Sequence, residues 1–168
     1  FFFNIKIIEN FDLADLFYDI HVIEGVSQWE YRVNNSNKSI EAVGSVQFNF
    51  KIQDTITLSL SKSRKLGLDF SIQANLFQRD QKYYVLLEIA DRKIKVKNSL
   101  VLNKQLRILE LEDLISNEKY EVEDFIKILK RGDACTLTIR ADHQVIQGYN
   151  SLSGSVSAIN SVLNGPIL

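Results

Sequence analysis

Hydrophobic residues recur at every second position through the middle of the chain, and that period constrains the fold more than any other feature. Val46, Phe48, Phe50 and Ile52 alternate with Gln47, Asn49 and Lys51, and Ile56, Leu58 and Leu60 with Thr57, Ser59 and Ser61. After the polar connection Lys62 to Lys65, Leu66, Leu68, Phe70, Ile72, Ala74 and Leu76 alternate with Gly67, Asp69, Ser71, Gln73 and Asn75. Successive side chains of a strand point to opposite faces, so each run buries one face and wets the other. Three such runs joined by short polar links predict an antiparallel meander.

The pattern extends in both directions. Tyr83, Val85, Leu87 and Ile89 share one face, Ile94 and Val96 follow, and Leu100 with Leu102, then Leu106 with Ile108, predict two more short strands. Gln28 to Val33, with Trp29, Tyr31 and Val33 on one face, precedes the polar cluster Asn34 to Ser39 and the run Ile40 to Val43, which together read as a hairpin. Cys135 to Arg140 and Gln144 to Gly148 read as another. Phe1 to Phe3 read either as the remnant of a hydrophobic targeting segment or as the start of an edge strand, Phe1 to Ile8, in which Phe3, Ile5 and Ile7 alternate with Asn4 and Lys6. Proline cannot donate into a ladder, and the only one is Pro166, close to the end.

Helical spacing is confined to three places. Leu13, Leu16, Phe17 and Ile20 form one stripe, with Asn10 or Asp12 placed to cap it. Asp124 leads into Phe125, Ile126, Ile128 and Leu129, then Lys130, Arg131 and Gly132: an acidic start, a basic last turn and a glycine stop. A last helix from about Gly154 to Leu163 would bury Val156, Ile159 and Val162 or Leu163, and end at Gly165-Pro166. The expected fold is all-β, a mainly antiparallel β-sandwich or partly closed barrel with short accessory helices, including a C-terminal one. One domain over residues 1–168 accommodates it.

Composition excludes several classes. The 168 residues are 45% hydrophobic and 24% charged with a net charge of −1, enough for a real core and too apolar for wholesale disorder. No run approaches the ~18 to 20 apolar residues of a membrane span, so no transmembrane segment is expected. The single cysteine excludes a disulfide framework and a Cys-rich zinc site. The chain holds no methionine and opens on Phe1, Phe2 and Phe3, so the native N-terminus is expected to lie further upstream.

Catalytic and cofactor signatures are missing. His21 and His143 are far apart in sequence, and with Cys135 they supply too few nitrogen and sulfur ligands for a metal site. Cys135 lies in an alternating strand without a CxxC, a local histidine or a helix N-terminus, and reads as an inert, buried or half-buried thiol. Ser153-Gly154-Ser155 lacks the leading glycine of a nucleophile elbow, and the seven scattered glycines form neither a Walker A nor a dinucleotide loop. Nothing marks which two carboxylates would face each other in a hydrolase. The reading is a non-enzyme with no catalytic residue, metal or cofactor.

Charge carries more information. Arg92, Lys93, Lys95, Lys97, Lys104 and Arg107 stand without an intervening acid, whereas Glu110 to Asp124 hold seven acids and one lysine. Lys93, Lys95 and Lys97 alternate with Ile94 and Val96, so all three ammonium groups leave one strand face. They form either a cationic strip for an anionic surface, polyanion or acidic protein, or a solvated face or guarded edge. Overall neutrality and the neighbouring acidic block argue against nucleic acid. Asn34-Asn35-Ser36 and Asn37-Lys38-Ser39 match the glycosylation sequon, in a loop whose turn chemistry alone accounts for them.

The C-terminal third has a recognisable cadence. Phe125 to Gly132 lead into the strand Cys135 to Arg140, and Ser151, Leu152 and Gly154, with Ala158 four residues beyond the glycine, close the chain. This resembles the end of the invasion-associated locus B family of bacterial envelope proteins, over about 45 residues. Two departures stand out. The family usually has several cysteines where this chain has only Cys135, and Ser155 replaces an aromatic often found after the glycine. The resemblance implies an exported, non-enzymatic β-sandwich at the cell envelope, periplasmic or secreted, with no catalytic residues to carry over.

The expected function is therefore binding or assembly through strand faces or edges, with a protein partner or by self-assembly. Lys93, Lys95 and Lys97 are the first residues to test. The alternative is a closed barrel carrying an apolar small molecule or lipid, since single-faced alternation would line such a lumen.

Overall fold

The structure, a computed structural model, describes residues 29–46, 55–142 and 144–168. The expected strand Phe1 to Ile8, the stripe Leu13 to Ile20, the run 47–52, His21 and His143 lie outside them. Ten strands follow in chain order: β1 (Trp29–Asn34), β2 (Ser39–Ser45), β3 (Thr57–Ser63), β4 (Gly67–Gln73), β5 (Tyr84–Ile89), β6 (Arg92–Leu102), β7 (Gln105–Asp113), β8 (Lys119–Tyr120), β9 (Ala134–Ala141) and β10 (Gln144–Ser151). Two helices, α1 (Val122–Arg131) and α2 (Ser155–Leu163), accompany them among the described residues. It is a mainly antiparallel all-β fold with two short accessory helices, one of them C-terminal.

Of the two arrangements the alternation leaves open, the chain adopts the partly closed barrel. All strands belong to one sheet in the order β10-β9-β5-β6-β7-β4-β3-β2-β1, with β8 added beside the far end of β7. The sheet curls, and its inner face carries Ile40, Leu58, Leu60, Phe70, Ile72, Leu87, Ile94, Leu106 and Leu137, all buried. Onto this face pack Phe125, Ile126 and Leu129 of α1 and Ala158, Ile159 and Val162 of α2, in one continuous apolar core.

The two ends of the sheet meet at one corner without a ladder, through side chains and one backbone hydrogen bond, from the Trp29 N–H to the Ser153 carbonyl (3.3 Å). Trp29 Nε1 donates to Asn150 Oδ1 (2.8 Å), and Asn150 Nδ2 donates to the Ser45 carbonyl (2.6 Å). Asn150 is fully buried, so this linkage satisfies a polar side chain that would otherwise be costly inside the core. Trp29 pairs in register with Gly44, and the indole lies across the space a side chain would fill.

Helix ends follow their charges. Glu123 and Asp124 occupy the first turn of α1, and Lys130 and Arg131 the last, as the helix dipole favours. Gly132 ends α1 for a different reason from the one expected. Its φ of −83° is open to any residue, but a Cβ there would lie 2.5 Å from Ile89 Cγ2 and 2.9 Å from Leu152 Cδ1. Lys62 Nζ donates to the carbonyls of Leu163 (3.0 Å) and Gly165 (2.8 Å), placing a cation at the C-terminus of α2.

Three readings from the alternation need correction. Of Trp29, Tyr31 and Val33, only Trp29 is buried. Val156 is exposed on α2, and Ala158 takes the core position instead. The residues 94 to 102 form one strand, not two, because a β-bulge lies within it. Val96 pairs with Leu111 and Asn98 with Glu110, which leaves Lys97 as the extra residue. A bulge resets the alternation, so Ile94 is inward before it and Val101 after it, while Leu100 and Leu102 turn outward.

Candidate binding surface

The bulge has a chemical consequence on the outer face. β6 delivers Leu100 and Leu102 there, each partly exposed, beside the outward residues of the neighbouring strands. Tyr84 and Leu86 leave β5, Thr138 and Arg140 leave β9, and Val145 leaves β10. In register, Arg140 is flanked by Tyr84 and Val145, and Leu86 by Thr138 and Lys95. Tyr84 is 52% exposed and Val145 60%, two large exposed apolar groups on either side of Arg140.

Two hollows adjoin along this surface and share Val96. One, of about 440 Å³, is lined by Tyr84, Leu86, Lys95, Leu114, Arg140 and Val145 among others. The second, of about 510 Å³, runs between the outer half of β6 and the loop Arg79 to Tyr83. That loop is held from inside. The Tyr83 hydroxyl accepts from the Gln78 N–H (2.7 Å) and donates to the Leu76 carbonyl (3.0 Å), and its ring packs edge-on against Phe77.

Cations edge the apolar floor. The Arg140 guanidinium lies 4.9 Å from the centre of the Tyr84 ring and Lys82 Nζ 5.6 Å from it, both within cation–π range. Arg79 and Lys97 line the second hollow, where Asp80 is the one acid among the lining residues. At the far end, a turn displays Leu114 and Ile115, the latter 83% exposed. Asp113 builds that turn: its Oδ2 accepts from the backbone N–H of Ile115 (3.0 Å) and of Ser116 (2.9 Å), and Tyr120 donates to its Oδ1. The hydrogen bond from Ser116 is the main reason its carboxyl is held below the usual range.

The expected cationic strip is divided by this geometry. Lys95 lines the first hollow and Lys97 the second, while Lys93 lines neither and faces Glu88 in register. Lys95 and Lys97 both reach Glu112 on β7, at 3.0 and 3.7 Å. β6 is an interior strand of the sheet order, and Lys95 lies where it is paired on both sides, whereas Lys97 lies beyond the ladder with β5. Tyr84, Lys82, Arg79, Arg140 and Val145 escaped the sequence reading because only strand pairing brings them to Lys95 and Lys97. The polar run Arg79 to Lys82 was the one local signal available.

Elsewhere the chemistry is quiet. Burial pushes the Cys135 thiol up to about 12, so it is protonated and unreactive at neutral pH. Among the described residues, no three His, Cys, Asp or Glu side chains gather as a metal site would need. No helix among them is long and apolar enough to cross a membrane. Between α1 and the sheet lies a hollow of about 180 Å³, with the Asp69–Arg107 ion pair among its lining groups. Compared with known proteins, the chain matches no family model, no curated protein and no solved structure. The positions that carry the locus B resemblance have packing roles of their own: Leu152 and Ala158 are buried, and Gly154 starts α2 at a φ of 84°.

Proposed function

We propose that this protein is a non-enzymatic protein-binding module that docks its partner on the outer face of the sheet, across Tyr84, Val145 and Ile115. The observation that carries this reading is the gathering of exposed large apolar side chains around two adjoining hollows, edged by cations. Exposed apolar patches with polar rims mark interaction surfaces, and aromatic and arginine side chains dominate the energetics of such interfaces. The resemblance of residues 151 to 158 supports placing the module outside the cytoplasm, at a cell envelope or within a larger complex.

The carrier reading has less support. The inner face of the curled sheet packs against α1 and α2, and the hollow described between α1 and the sheet, about 180 Å³, is smaller than the ~300–1,000 Å³ of small-molecule pockets.

The test uses the complex isolated with the protein from its own source and followed by native mass spectrometry. Val145→Lys combined with Ile115→Asp is expected to weaken the complex by about 2 kcal/mol or more, roughly 30-fold in Kd. Leu66→Lys, an equally drastic change at the exposed β3–β4 turn, is expected to leave it intact. Equal sensitivity to both changes, or to neither, overturns the assignment of the surface.

A further inference from the structure

Among the described residues, strand β6 is paired along most of its length on one side only. On the β7 side the ladder runs from Ile94 to Leu102. On the β5 side it covers Arg92 to Lys95 and stops, because β5 begins at Tyr84 and the chain before it turns away through the loop Arg79 to Tyr83. From Val96 to Leu102, among the described residues, β6 therefore presents an unpaired edge in the middle of the sheet, and the second hollow lies along it. Unpaired edges are templates for another strand, and proteins ordinarily cover or blunt them. This one carries Lys97 and the bulge, yet no described segment pairs with it and a hollow lies alongside.

We infer that this gap receives a single extended segment of a partner protein, acidic and bearing alternate apolar side chains, which adds to the sheet as a strand beside Val96–Leu102. The inference rests on the proposed docking surface and specifies its mode. Three features on the structure select the occupant. The gap is bordered on its far side by the loop that Tyr83 anchors, a boundary that suits a single extended segment. Leu100 and Leu102 stand on the outer face beside it, ready to meet every second side chain of an incoming strand. Arg79, Lys82 and Lys97 around the gap outnumber Asp80, so carboxylates on the incoming strand find complementary charge. Strand addition of this kind draws affinity from main-chain hydrogen bonds and selectivity from the side-chain positions.

A fluorescent heptapeptide of alternating glutamate and valine is the probe, with binding read by anisotropy. The peptide is expected to bind, and its affinity to fall as salt is raised. Methylation of its alternate backbone nitrogens removes main-chain donors without removing charge, and is expected to weaken binding roughly tenfold or more. Lys82→Glu with Lys97→Glu is expected to weaken it by a similar factor or more and to invert the salt dependence, since one cation then faces three acids around the gap. Leu66→Lys, at the exposed β3–β4 turn away from the gap, should leave peptide binding within about twofold. Undiminished binding of the methylated peptide in both of its registers overturns strand addition, and no binding, or equal binding of a lysine–valine peptide, overturns the acidic segment. The docking surface itself fails separately, when the complex from the native source ignores Val145→Lys with Ile115→Asp.

Discussion

A Trp29→Ala substitution is expected to lower the unfolding free energy by about 3–5 kcal/mol, the usual range for removing a buried tryptophan. The loss has two parts. Trp29 is 2% exposed, so its removal opens a cavity at the corner where the two ends of the sheet meet. It also takes away the indole N–H that Asn150 accepts, leaving a fully buried amide oxygen short of a partner. Gly44→Ala attacks the same corner without touching either residue. A Cβ at Gly44 would sit 2.5 Å from Trp29 Nε1 and 2.8 Å from Cδ2, so the indole must move, at a cost of about 1–3 kcal/mol. Trp29 is the only tryptophan, and its emission therefore reports this corner alone. Gly44→Ala should shift that emission to the red while lowering the urea midpoint. An unshifted spectrum with an unchanged midpoint would mean that the sheet does not depend on this closure.

The second large effect concerns Asp69 and Arg107, paired across β4 and β7 at 3.1 Å, with side chains 8% and 23% exposed. Burial raises the Asp69 pKa above its ordinary value, against the lowering effects of the hydrogen bond and charge of Arg107. An acid whose folded pKa is raised binds more protons folded than unfolded, so its contribution to stability falls as pH rises through the interval between the two pKa values. Arg107→Leu removes both lowering effects, which lifts the folded pKa further and widens that interval upward. The variant is expected to lose about 3 kcal/mol at neutral pH, the lower end for breaking a buried pair because Arg107 is partly solvated. The loss should be smaller at about pH 4, where Asp69 can take up a proton, and Asp69→Asn in the same background should recover much of it. Urea titrations at the two pH values measure this. A loss independent of pH would assign Arg107 a packing role instead of an electrostatic one.

Much of the fold is legible in the sequence wherever the period of two is unbroken. Ile56 to Leu76 become β3 and β4, and Cys135 to Gly148 the hairpin of β9 and β10, because there each buried face is written in consecutive alternate residues. Legibility fails where the alternation changes parity. Ile94, Val96, Leu100 and Leu102 look like two strands of one face, yet the bulge at Lys97 makes them one strand that uses both. Past Ile108, the acidic block interrupts the alternation, yet β7 continues through Glu110 to Asp113 with Leu111 buried and Glu112 paired to Lys95 and Lys97. The Trp29–Asn150 linkage joins residues 121 positions apart and has no local signal at all. The candidate surface was legible only in Lys95 and Lys97. Its remaining members come from four other segments, and their meeting is a property of the strand order.

Amide hydrogen exchange on the protein in complex with its native partner tests the docking surface most directly. Binding on the outer face is expected to slow exchange in β5, in β6 between Val96 and Leu102, and in β9, with the helices α1 and α2 unchanged. Slowing confined to α1, α2 or the strands β1 to β3, with the outer half of β6 exchanging as in the free protein, would contradict it.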